Sequence, residues 1–184
     1  MWKVWKGSED ELQAALFDRL KDWSKSLVFA EYLDWVYAVP NGGLRTKRGA
    51  GLLKATGTKS GVSDVICQFP SIVDDLFYSS FSLELKDHKG IPSSNQLKFQ
   101  NFQNSKFGKI AISNSLPEAE YLIMEYVVGA IKMFSGKEFF IELIPEDAIF
   151  TEEDWNLCGV ESRDLKLPFD PTTTPKHSFK IMEI

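Results

Sequence analysis

No apolar run in the 184 residues approaches the roughly 20 that a membrane-crossing helix needs, so none is expected. The opening Met1-Trp2-Lys3-Val4-Trp5-Lys6 has neither a long apolar stretch nor a small-residue cleavage site, which argues against a secretory signal. Cysteine is scarce. Cys67 and Cys158 stand far apart without metal-like spacing, and Cys67 lies in an apolar run as a small core residue. These features lead us to expect a soluble protein of a reducing compartment, the cytoplasm of a bacterial or phage-infected host. There is no internal repeat and no low-complexity tract. An excess of positive charge is also missing: the net charge of −5 argues at first against a nucleic-acid partner.

What is present changes that reading. A 43% hydrophobic content, with 13% aromatic residues, is ample for the core of one compact domain with a short C-terminal appendage. The charge is unevenly spread. From Asn41 to Ser63 there are five cations (Arg45, Lys47, Arg48, Lys54, Lys59) and no acid. From Lys86 to Lys109 five lysines face Asp87 alone, giving +4, whereas fourteen acids and six bases after Pro117 give −8. Charge runs are usually solvated faces, yet a basic centre beside an acidic tail also fits a local patch for a polyanion.

Ser8 with Glu11 forms a capping box, and Leu12, Leu16, Leu20, Trp23 and Leu27 recur at helical spacing. Trp35 to Val39 reads as a strand ended by Pro40-Asn41-Gly42-Gly43, followed by a basic loop over 44–61 with a short turn around Leu52-Leu53-Lys54. Strands are expected over Val62–Phe69, Ser80–Lys86 and Lys109–Ser113, with Pro70 to Ser80 as a connection. Helices are expected over Ser94–Ser105 and from Pro117 through Val128. The order is α, β, β, β, α, β, α, a mixed central sheet flanked by helices. Beyond 135 come weaker strands, near 138–144 and 178–184, around an acidic stretch with a loose Pro168 to Pro175 segment.

In the strand Phe81-Ser82-Leu83-Glu84-Leu85-Lys86, alternation sends the apolar residues one way and Ser82, Glu84 and Lys86 the other. A carboxylate and an ammonium about 7 Å apart at their backbones suit a metal-bound water or a phosphate between them. Alone, such a pair is common decoration of a polar face. Asp64 opens an otherwise apolar strand, where a charge is costly without a cation or donors, although it could equally cap the preceding turn. Two carboxylates on neighbouring strands repel, and a divalent ion is the usual remedy. Glu9 falls in line with Leu12, Leu16 and Trp23, so it faces inward, while Glu11 faces solvent. Gln96 sits in the first turn of a helix whose free N–H groups suit a phosphate.

Five motifs in order resemble the VRR-NUC family, the virus-type replication and repair nucleases of the PD-(D/E)xK superfamily. They are Ser8-Glu9-x-x-Leu12-Gln13, Pro40-Asn41-Gly42-Gly43, Gly61-Val62-Ser63-Asp64-Val65, Leu83-Glu84-Leu85-Lys86 and Gly90-x-x-Ser93-x-x-Gln96, spread over residues 8 to 114. Ser63 departs from the proline this family often carries there. Glu142 is a decoy, because its i+2 residue is Ile144 rather than lysine. The resemblance implies a restriction-endonuclease-like α/β core over 1–134, with 135–184 an acidic extension packed on it or used for dimerisation. It implies a Mg²⁺- or Mn²⁺-dependent, structure-selective DNA endonuclease, resembling the Holliday-junction resolvases that act as homodimers. Glu9, Asp64, Glu84, Lys86 and Gln96 would be its catalytic residues, and Glu9, Asp64, Glu84 and Leu85 its metal positions. The DNA contacts expected are Asn41, Gly42, Arg45, Lys47, Arg48, Lys54, Lys59 and Ser93. The alternatives are a flap, nick or duplex-specific nuclease, or a non-catalytic DNA-binding module that keeps the fold.

Overall fold

The computed structural model describes residues 2–40, 57–144 and 178–184. Helix α1 (Glu9–Trp23) starts at a closed capping box: Ser8 Oγ accepts from the Glu11 N–H at 3.2 Å, and the Glu11 carboxylate accepts from the Ser8 N–H at 2.8 Å. Leu12, Leu16, Leu20 and Trp23 are buried along one stripe. The expected continuation to Leu27 does not occur. Ser24 ends the helix, its hydroxyl donating to the Lys21 carbonyl at 2.8 Å, and a second short helix, α2 (Leu27–Leu33), begins after Ser26. Leu27 is therefore 89% exposed, and Phe29 and Leu33 face the core instead. Serine hydroxyls compete for backbone groups and break a helix that apolar spacing alone would extend.

The chain continues through β1 (Val36–Ala38), β2 (Val65–Cys67), β3 (Ser71–Val73), β4 (Leu76–Tyr78), β5 (Ser80–Leu85), α3 (Ser94–Asn104) and β6 (Gly108–Ser113). Then come α4 (Leu116–Ser135), β7 (Phe139–Leu143) and β8 (Phe179–Glu183). The result is a mixed α/β architecture whose central sheet has the order β1-β2-β5-β6. The first two pairings are antiparallel and β5–β6 is parallel, crossing over through α3. Among the described residues no helix is long and apolar enough to cross a membrane.

Residues 70–80, expected as a plain connection, instead form the β3–β4 hairpin. Asp74 and Asp75 at its tip have φ of 51° and 61°, the two left-handed residues of a two-residue I′ connection. The hairpin lies on α4, where the Ser71 hydroxyl donates to the Tyr126 carbonyl at 2.7 Å. A Cβ on Gly129 would come within 2.1 Å of the Ile72 carbonyl oxygen, so only glycine allows this approach.

Alternation in β5 runs as its sequence dictates. Phe81, Leu83 and Leu85 enter an apolar core with Leu12, Leu16, Ile123 and Val127. Ser82 and Glu84 are on the other face and are also buried, on the side where α3 packs over β6. The β7–β8 pair is tied to the core: Phe179 is fully buried and stacks on Trp23 at 5.6 Å, and Phe139 meets Phe29 at 5.6 Å. Residues 145–177, with the Pro168 to Pro175 segment, lie outside the described residues.

Candidate active site

The antiparallel register pairs Val65 with Leu83, which sets Asp64 opposite Glu84 at the end of the β2–β5 ladder. Asp64 Oδ2 accepts from the Leu85 backbone N–H at 2.9 Å, so the strand edge itself aims this carboxylate. The Asp64 charge lies near enough to Glu84 to oppose its ionisation. Glu84 is 0% exposed. Its Oε1 meets the Lys86 ammonium at 2.6 Å and accepts from Gln96 Nε2, while its Oε2 is buried with no donor.

Lys86 is 7% exposed, unusual for a lysine, and its Nζ is ringed by oxygen. Besides Glu84 Oε1 it reaches the Leu85 carbonyl at 3.0 Å and the two Glu9 oxygens at 3.3 and 3.4 Å. Glu9 comes from the first turn of α1 with its side chain 42% exposed, on the inward side of the helix. The turn after Lys86 is tight. Lys89 donates its N–H to the Asp87 carboxylate at 2.9 Å, and Gly90 donates to the Asp87 carbonyl at 3.2 Å. A Cβ on Gly90 would lie 2.9 Å from Lys86 Cδ and 3.0 Å from Glu9 Oε1.

Gln96 is held at both ends. Its Oε1 accepts from the Ser93 N–H at 2.7 Å, and its own N–H donates to Ser93 Oγ at 3.3 Å, a second capping box at the start of α3. The amide nitrogen is thereby turned onto Glu84. Ser93, expected as a DNA contact, has both its backbone N–H and its hydroxyl engaged in this cap. Gly61, with φ of +89°, passes so close to α3 that a Cβ would lie 2.4 Å from the Asn95 carbonyl carbon. Asn95 Nδ2 donates to Ser60 Oγ at 3.1 Å on the same contact. The approach to Asp64 is thus docked on the helix that carries Gln96.

Burial is the main influence on the acids. It pushes the Glu84 carboxyl up to about 7, helped by the Asp64 charge and opposed by Lys86. Burial also raises Asp64, against the opposing pull of the Leu85 N–H and Lys86. For Lys86 burial acts downward, but Glu84, Glu9 and Asp64 together outweigh it and the ammonium is held above its ordinary value.

The structure therefore brings Asp64, Glu84, Lys86, Gln96 and the Leu85 carbonyl together, and Glu9 joins them across the Lys86 ammonium. Among the described residues no three His, Cys, Asp or Glu side chains are grouped closely enough to hold a metal ion. The half-buried Asp64 and the buried Glu84, whose Oε2 is unpartnered, nonetheless offer the hard oxygen donors that Mg²⁺ or Mn²⁺ prefers. Lys59 is exposed just before the Gly61 approach. Asn41, Gly42, Arg45, Lys47, Arg48 and Lys54 lie outside the described residues. Ser82, expected on the Glu84 face, and Gln100, which the sequence did not single out, are buried on this side with Ser82 Oγ and Gln100 Nε2 unpartnered. The spacing of Gln100, one helical turn after Gln96, was the available signal.

No family model matches the chain, and no curated protein matches it. Among solved structures it is similar to one named "VRR_NUC domain protein", with a TM-score of 0.46 and 16% identity, over 68% of this chain and 90% of that chain. A likeness of that size bears on neither the activity nor the roles of the residues. Those rest on the site itself.

Proposed function

We propose that this chain is a Mg²⁺- or Mn²⁺-dependent endonuclease that hydrolyses phosphodiester bonds in branched DNA, working as a homodimer of the Holliday-junction-resolvase kind. The observation that carries the reading is a fully buried Glu84 set against Asp64 and bonded to Lys86, an arrangement too costly for plain decoration. Structural roles rarely demand a buried acid beside a half-buried one, both of raised pKa; catalytic sites often do.

In this reading Asp64, Glu84 and the Leu85 carbonyl hold the ion. A divalent cation bound there supplies Lewis-acid activation of water and a counter-charge for the phosphate. Lys86 offers N–H donors where negative charge develops on the phosphate oxygens, and Glu9 steers that ammonium. Gln96 fixes Glu84 by donating to Oε1, and the α3 cap fixes Gln96 in turn. The N-terminus of α3 and Lys59 present positive potential to the DNA backbone. Two active sites related by a two-fold axis would account for paired cuts in a symmetric junction.

Incubation with four-way, flap, nicked and linear duplex DNA in Mg²⁺ or Mn²⁺ tests the proposal. Junction cleavage lost in EDTA and reduced by about 10²–10³-fold in Lys86→Ala is the expected result. Robust cutting that persists in EDTA, or in Lys86→Ala, sinks the mechanism, and a preference for linear duplex at a fixed sequence removes the junction role.

A further inference from the structure

The central sheet ends on two edges of unequal length: β1 is three residues long, whereas β6 runs for six. The Ser113 carbonyl accepts from the Lys86 N–H at 2.9 Å, which turns the odd-numbered residues of β6 toward β5. The backbone groups of Gly108, Ile110 and Ile112 therefore face outward, and among the described residues they make no backbone bond. Cover stops just short of them. The Trp5 N–H donates to the Asn114 carbonyl at 2.7 Å, and from there the N-terminal segment leaves for α4, where Trp2 meets Tyr121 at 5.7 Å. Nor does a charge guard the run: Lys109 is its one charged residue, and Glu125 holds that ammonium at 2.7 Å. On β6 and on α3 above it, Ile112, Leu97 and Phe102 are 44%, 47% and 61% exposed. A long, uncovered edge beside apolar side chains is a pairing template that proteins ordinarily blunt.

We propose that β6 pairs antiparallel with β6 of a second copy of this chain, Ile110 against Ile110 across a two-fold axis, joining the two central sheets into one. This rests on the homodimer of the proposed function and gives that dimer its interface. A strand paired antiparallel with itself is self-complementary, the condition that a two-fold contact imposes. The pairing also carries the exposed Lys106, before one edge, toward Glu118, beyond the end of the other. Helix α3 packs on β6 while its Gln96 reaches Glu84 on β5, so it lies over both strands. With strands about 4.8 Å apart, the two α3 helices come to lie about 10 Å from each other, the ordinary spacing of packed helices. Leu97, Phe102 and Ile112 supply apolar surface to fill that contact. The axis stands perpendicular to the sheet and leaves both Glu84 side chains on one face. Each Glu84 is level with Ile112 of its own chain, and that Ile112 is opposite Gly108 of the second copy, so the two sites stand roughly 20 Å apart.

Sedimentation equilibrium of the full chain at micromolar concentration should give twice the chain mass. Ile112→Lys sets a charge among the apolar groups of the contact and should weaken the dimer by about tenfold or more. A second variant gains a signal instead of losing one. Ile110→Cys, made together with Cys158→Ser, should form an intermolecular disulfide under mild oxidation, because facing residues of a hydrogen-bonded antiparallel pair have Cα atoms about 5.5 Å apart. Leu76→Cys, exposed on the β3–β4 hairpin, should not. Dimers of Ile112→Lys as tight as the parent's overturn the proposal, and so does Ile110→Cys cross-linking no faster than Leu76→Cys. A parent that stays monomeric also overturns it and leaves the edge to a partner of another sequence. Digestion of junction DNA in Mg²⁺, run beside these measurements, separates the two claims. A cross-linked dimer that cuts no DNA keeps the interface and removes the nuclease reading. A parent that cuts while monomeric removes the interface alone.

Discussion

Replacing Gly90 by alanine adds one methyl group where the Lys86 stem passes the Glu9 carboxylate. The new carbon would lie 2.9 Å from Lys86 Cδ, 3.0 Å from Glu9 Oε1 and 3.2 Å from Asp87 Oδ1. Ordinary carbon–carbon contact is about 3.5–4.0 Å, so the lysine stem must retreat by roughly 0.6–1 Å. Its ammonium is tethered at 2.6 Å to Glu84 and at 3.0 Å to Leu85, and it cannot follow without loosening one of them. Gly90 is not among the glycines with positive φ, so alanine brings no backbone strain there. Alanine in a compatible backbone contributes about 0.4–1 kcal/mol, which offsets much of the roughly 1–3 kcal/mol of overpacking. The net cost of about 1 kcal/mol corresponds to a Tm drop of roughly 2–4 °C for a chain of this size. Activity should suffer far more, because a misplacement of about 1 Å costs on the order of 100-fold. Calorimetric melting beside single-turnover junction cleavage measures both. Cleavage within threefold of the parent would refute the positioning role, and a Tm loss beyond about 10 °C would show that the contact is structural instead.

Three further outcomes follow from contacts elsewhere and from the charge of the site. Arg19→Met removes the guanidinium that meets the fully buried Glu120 at 2.6 Å and should cost about 3 kcal/mol in urea unfolding; a cost below about 1 kcal/mol contradicts it. Gly129→Ala forces β3 off α4 and should cost about 3 kcal/mol; a melt within 1 °C of the parent contradicts the close approach to Ile72. Glu84 keeps a proton up to about pH 7 in the metal-free chain, and an ion must displace it, so cation affinity should tighten about tenfold from pH 6 to pH 8 and then level off. Calorimetric titrations that are flat across that range refute it.

Much of this fold could be read from spacing. The alternation of Phe81, Ser82, Leu83, Glu84 and Leu85 fixed which face is core, and the Ser8–Glu11 pair marked the start of α1. Helical geometry also put Glu9 inward and Glu11 outward. Short elements escaped because their cause is local. Ser24 breaks a stripe that Leu27 continues by spacing, and Asp74-Asp75 makes a hairpin turn without the Asn-Gly signature. Helix α3 shows another limit. Its buried residue is Gln100, whereas Leu97 and Phe102 are 47% and 61% exposed, so its apolar rhythm points away from the real contact. In the site, the residue types and their strands were legible. The partner of each atom was not: the pairing of Lys86 with Glu9 depends on the tight turn at 87–90, and the hold of Gln96 on Glu84 depends on a cap.

The site around Glu84 and Lys86 draws on α1, the edge of β2, β5 and the first turn of α3, so its members span residues 9 to 96. Only the closing of β5 against β2 brings Asp64 to Glu84, and only α3, laid over β6, brings Gln96. A chain still emerging from the ribosome, or one clipped inside that span, holds these acids apart. The proposed nuclease activity would therefore be all-or-none with respect to assembly of the domain. Under the proposed nuclease reading, unfinished copies would make no stray cuts, because the chemistry and the finished fold would arrive together.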